Sequence, residues 1–121
     1  MREHPDGAGL LAIAREVLRK ELLPLLPKEK AYDALMIANA ISIAERQLQA
    51  GESAQMQERV ALAGLLGMQA DLADLNREFA RRIRAGDFDD AAVAKTILWE
   101  STVQRVRESA PKALAAYGIA D

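Results

Sequence analysis

Residues 31–51 read AYDALMIANAISIAERQLQAG, a helix-length stretch with apolar residues on two opposite sides. At about 100° per residue, Tyr32, Leu35, Met36, Asn39 and Ile43 fall on one side, and Ile37, Ile41, Ala44 and Leu48 lie nearly opposite. A helix that hides both sides sits between neighbours. The segment is therefore expected to be the central helix, near residues 30–50, of an all-α bundle.

Working outward supplies the neighbours. Upstream, Leu10, Leu11, Ala14, Val17, Leu18, Leu22 and Leu25 recur at helical spacing. Asp6 precedes them and is placed to cap the first turn, whose amides otherwise lack acceptors. Pro24 and Pro27 should end or bend that helix near Leu23, because each removes an amide donor and restricts the residue before it. The central helix should start between Lys28 and Ala31 and stop at Ala50, with Gly51 in the left-handed position that follows many helices.

Downstream, Met56, Val60, Ala63 and Leu66 predict a third helix from about Ser53, which Gly67 stops. A fourth should run from about Asp71 to Gly86, with Leu72, Leu75, Phe79 and Ile83 on one stripe and charges opposite. The acids in Asp87-Phe88-Asp89-Asp90 favour a fresh helix start. The resulting fifth helix, to about Ser109, carries Ala92, Thr96, Trp99, Val103 and Val106 as a seam, with Trp99 expected in the core. Pro111 opens a short C-terminal turn, which Gly118 closes. The expected architecture is a compact bundle of about five helices in a single domain, 1–121.

Composition agrees with a folded helical chain. Half of the 121 residues are hydrophobic, which excludes a disordered composition. The net charge of −2 provides no field to attract a nucleic-acid backbone, so nucleic acid is not an expected partner. With no cysteine, disulfides and thiolate metal sites are excluded. The first residues, Met1-Arg2-Glu3-His4-Pro5-Asp6-Gly7, lack the apolar core of a signal peptide. The longest apolar run, Leu35 to Ala44, is broken by Asn39 and Ser42 and falls short of the roughly 20 residues that span a bilayer. A cytoplasmic protein without membrane contact is expected.

Chemistry-bearing patterns are sparse. His4 is the lone histidine and has no carboxylate at ligand spacing, so an exposed terminal side chain explains it, and no metal is expected. Gly7-Ala8-Gly9 and Gly64-Leu65-Leu66-Gly67 lack the lysine or third glycine of phosphate-binding loops. No catalytic residue is assigned, and no cofactor is expected. Asp74 with Arg77, and Glu78 with Arg82, stand at helix-surface pairing distances. Two features retain functional interest. Arg77, Arg81 and Arg84 form a row of guanidinium forks suited to phosphate or carboxylate groups, or else an ordinary helix C-terminus favouring positive charge. Asn39 lies within the apolar side of the central helix. A buried amide there either ties to a backbone carbonyl or neighbouring helix, or faces a cleft and meets a ligand.

Met1-Arg2-Glu3-His4-Pro5-Asp6, Ile37-Ala38-Asn39-Ala40, Leu75-Asn76-Arg77 and Arg81-Arg82-Ile83-Arg84-Ala85-Gly86 together resemble the DUF6285 family of small bacterial proteins of unknown function. Ser109-Ala110-Pro111 departs from the asparagine-proline ending of that pattern. The resemblance implies association with aminoglycoside-phosphotransferase-like kinases and acyl-CoA dehydrogenases, and supplies no catalytic residues. The leading expectation is a non-enzymatic accessory or interaction module that docks on such a kinase or forms a homo-oligomer. The alternative is a small-molecule or acyl-CoA-type binding protein with a cleft near Asn39 and arginines from the fourth helix.

Overall fold

The computed structural model describes residues 4–119, and no strand occurs among them. Met1, Arg2 and Glu3, which begin the stretch read above as lacking a signal peptide, lie outside the described residues, as do Ala120 and Asp121. Five long helices occupy the five expected segments: α1 (Gly7–Val17), α2 (Lys28–Ala50), α3 (Ser53–Leu66), α4 (Leu72–Arg84) and α5 (Ala92–Ser109). A sixth, α6 (Lys112–Ala115), is the short turn at Pro111. The chain divides after Gly51 into two compact units.

The first unit is a helical hairpin. Asp6 caps α1 as expected, its carboxylate accepting from the Gly9 amide at 2.9 Å. Beyond Val17 the backbone widens into a π turn, Leu18–Leu22, closed by the Leu23 amide donating to the Leu18 carbonyl, and then tightens into a 3-10 turn, Leu23–Leu25. Pro24 is the cause, because it has no amide hydrogen for the carbonyl four residues earlier. Leu26, preceding Pro27, is extended, and α2 begins at Lys28. Gly51 ends α2 with φ 69°, the region that favours glycine.

α2 returns along α1, burying Ala34 and Ala38. Small residues on this flank allow close approach; a Cβ on Gly7 would lie 3.5 Å from the Leu48 side chain. Neither of the two expected sides of α2 is fully covered. Ile41, Ile43 and Ala44 are half-buried, whereas Tyr32, at 71%, Leu35 and Met36 on one side and Ile37 and Leu48 on the other are exposed.

The second unit has the larger core: Leu62, Ala63 and Leu66 of α3, Leu75 and Phe79 of α4, and Ala94 and Ile97 of α5. Asp71 caps α4 by accepting from the Asp74 amide at 2.8 Å. Gly67, with φ 67°, stops α3, its amide donating to Ala63 at 2.9 Å. Phe88, between α4 and α5, sets its ring edge-on to Phe79 with centroids 5.6 Å apart. Ser101 Oγ donates to Glu58 Oε1 at 3.2 Å, joining α5 to α3.

This packing corrects the expected seam of α5. Trp99 is 58% exposed and lies outside the core, while Ala94 and Ile97, on nearly the opposite side of the helix, are buried. The physical reason is size: Ala94 lets α5 approach α3 and α4 more closely than an indole would, and the Ser101–Glu58 hydrogen bond holds the same face inward. Leu75→Ala removes a side chain with 0% exposure and should cost about 2–5 kcal/mol. Met56→Ala, at an exposed site on α3, should stay within about 0.5 kcal/mol; urea denaturation of both variants measures the contrast.

Candidate functional site

α4 presents the arginine row because its other side is committed to the core through Leu75 and Phe79. The forks are already engaged by the helix's own carboxylates. Arg77 Nη1 donates to Asp74 Oδ1 at 2.5 Å. Arg81 donates to both oxygens of Glu78, through Nε at 3.2 and 3.0 Å and through Nη2 at 2.5 Å. Arg82 Nε adds a further bond to Glu78 Oε1 at 2.9 Å. The pairs Asp74–Arg77 and Glu78–Arg82 are those the spacing predicts. Arg84 lies exposed at the end of the helix.

Glu78 is thus the hub of the row. Hydrogen bonds from Arg81, then Arg82, hold its carboxyl down to about 2, and the same contact raises the Arg81 guanidinium above its ordinary value. Forks closed on internal carboxylates give an external phosphate little reason to bind, since it would have to displace a charge-assisted partner.

Asn39 is exposed, which corrects the premise of a buried amide. The physical reason is that α1 covers only the flank of α2 that carries Ala34 and Ala38. The polar group near Asn39 that is partly buried is the Ser42 hydroxyl, and it donates to the Ala38 carbonyl at 3.1 Å. Asn39 and the arginine row belong to different units of the chain. An open depression of about 340 Å³ occurs on α3 against Met56, Gln57, Val60 and Ala61, an apolar lining with no titratable group. His4 is exposed. Among the described residues, no three His, Cys, Asp or Glu side chains are grouped so as to hold a metal. No helix among them is long and apolar enough to cross a membrane.

Periodicity marks Leu10 and Val17 of α1 and Tyr32, Leu35 and Met36 of α2 as packing positions, yet all five are exposed, as is Ile13. Their signal was present in the two-sided apolarity of α2. Exposed large apolar side chains, where they adjoin one another, mark an interaction site more often than a catalytic one.

A family model described as a domain of unknown function (DUF6285) matches residues 24–113, and the chain belongs to that family. The match takes in α2 to α5 and leaves α1 outside it. No curated protein and no solved structure matches the chain.

The Glu78 contacts imply a definite acid response. A carboxyl whose folded value lies below its ordinary 4.5 contributes stability that is fully present above that value and lost as pH falls toward 2. Glu78→Gln should therefore lower the melting temperature at pH 7, by an amount that shrinks as pH falls from 4.5 and is mostly gone by about 2. Thermal melts of both proteins across that range would show the two curves converging; a constant gap would contradict the assignment.

Proposed function

We propose that this member of the DUF6285 family is a non-enzymatic helical interaction module, with the apolar surface of its N-terminal hairpin as the contact. The observation that carries this reading is the imbalance within the hairpin. Ala34 and Ala38 are its buried residues, while Leu10, Ile13, Val17, Tyr32, Leu35 and Met36 are exposed. A unit of this length has little core of its own, and covering those side chains would remove apolar area from water at roughly 25 cal/mol per Å².

The family resemblance proposes the partners: an aminoglycoside-phosphotransferase-like kinase, an acyl-CoA dehydrogenase, or a second copy of the chain, in the cytoplasm. The competing reading, a small-molecule or acyl-CoA binder at Asn39, has less support because Asn39 stands on an exposed helix surface. The occupied forks of Arg77 and Arg81 likewise favour a structural over a ligand-binding role.

The test uses Leu35→Glu with Met36→Glu, two substitutions at exposed positions that leave the core of either unit untouched. Sedimentation equilibrium of the protein alone, and titrations against the purified kinase and dehydrogenase of its host, should reveal at least one association. The double substitution should weaken it tenfold or more, about 1.4 kcal/mol, with the helical circular dichroism unchanged. A monomer that binds neither protein, or an association indifferent to the two charges, would overturn the reading.

A further inference from the structure

We propose that α1 is a strap: it lifts from α2 as one body, about the π turn at Leu18–Leu22, while the core of α3, α4 and α5 stays folded. How far α2 is covered is then set by an equilibrium within the chain, whatever the exposed surface binds.

Little holds α1 in place. It buries no residue fully, and its half-buried residues, Ala8, Gly9, Leu11, Ala12 and Arg15, include one large apolar side chain, Leu11. Leu10, Ile13 and Val17, which could have supplied more, are exposed. On the other side of the contact α2 buries Ala34 and Ala38, whose methyl groups remove little apolar area from water. The second unit, by contrast, buries Leu62, Leu66, Leu75, Phe79 and Ile97 together. Segments open in the order of their buried contacts, so the contact between α1 and α2 breaks first.

The closed hairpin also strands a donor. Arg15 Nε is buried and has no hydrogen-bond partner. Such a donor penalises the closed form, and water satisfies it once the helix lifts.

The backbone supplies the hinge. The Leu18 amide is shared between the Ala14 and Arg15 carbonyls, the Leu23 amide reaches back to Leu18, and Pro24 has no amide hydrogen to give. The hydrogen-bond register changes at this point, and a few element-terminal residues of this kind can absorb the rotation of a hinge. The family match starts at residue 24, so the hinge also separates α1 from the matched segment. Once off α2, a helix of 11 residues is too short to persist in water, and its amides become open to exchange.

Hydrogen exchange of the full chain, followed amide by amide by nuclear magnetic resonance, tests the strap. After correction for intrinsic rates, the amides from Leu11 to Val17 should share one opening equilibrium and exchange roughly 100-fold faster than those of Leu62 and Leu75. Those from Ala38 to Ile43 should exchange more slowly than α1. Arg15→Met, which removes the stranded donor and keeps an unbranched chain, should slow exchange in α1 about tenfold and leave α3, α4 and α5 unchanged. If Arg15→Met disturbs the helical signal, a second variant decides. Gly7 and Leu48 are neighbours across the contact in a chain without cysteine, so Gly7→Cys with Leu48→Cys, joined by a bis-maleimide, should suppress exchange in α1 relative to the unlinked protein. Protection in α1 equal to that of the second unit, protection matching that of α2, or protection rising gradually from Leu11 to Val17 as in simple fraying would each overturn the strap. So would exchange indifferent to Arg15→Met in a normally folded variant, or to the linker.

Discussion

Proline 24 has no amide hydrogen, and the N-terminal unit is organised around that missing donor. Without it the α1 ladder cannot continue: the Leu23 amide reaches back five residues to Leu18, the next turn tightens, and Pro27 holds Leu26 extended. The chain then reverses, so that one long helical pattern becomes two helices lying side by side. A hairpin covers one flank of each helix. The exposed side chains of Leu10, Ile13, Tyr32 and Met36 follow from that geometry, since the contact of α1 with α2 buries only Ala34 and Ala38.

The second unit solves the same problem differently. Three helices enclose Leu62, Leu75 and Phe79, with Phe88 closing one end through an edge-on ring contact. α4 can be strongly charged on its outer side because Glu78 and Asp74 answer the arginines locally. Such exposed pairs contribute modestly to stability. They do not neutralise the row, since four guanidinium groups, Arg77, Arg81, Arg82 and Arg84, stand against two carboxylates, Asp74 and Glu78.

Helix ends were the most legible part of the sequence, because each is decided by one or two residues acting locally. Asp6 and Asp71 accept from first-turn amides, and Gly51 and Gly67 both end their helices with positive φ, Gly67 in the left-handed conformation and Gly51, with ψ −157°, outside the left-handed conformation expected for it. Which apolar face finds a partner was not legible. Periodicity places Trp99 and Ile97 on different sides of α5 but carries no information about which side the neighbours cover; the decision falls to Ala94, through its small size, and to Ser101, through a hydrogen bond to a residue 43 positions away. Asn39 illustrates the same limit. Its place on an apolar stripe was readable, and its exposure depended on how far α1 extends around α2. The arginine row was readable as a row, and the Asp74 and Glu78 partners followed from their spacing.

Trp99 stands on the outside of α5, and it is the sole tryptophan of the chain. Its indole therefore emits from a largely aqueous setting in the folded protein, at wavelengths close to those of the unfolded chain. Intrinsic fluorescence consequently makes a poor optical record of unfolding, in which the Leu62–Leu75 core comes apart, and a sensitive one of anything that comes to lie against α5. A blue shift on mixing or concentrating the protein is an optical signature of covering that helix, obtainable without a label.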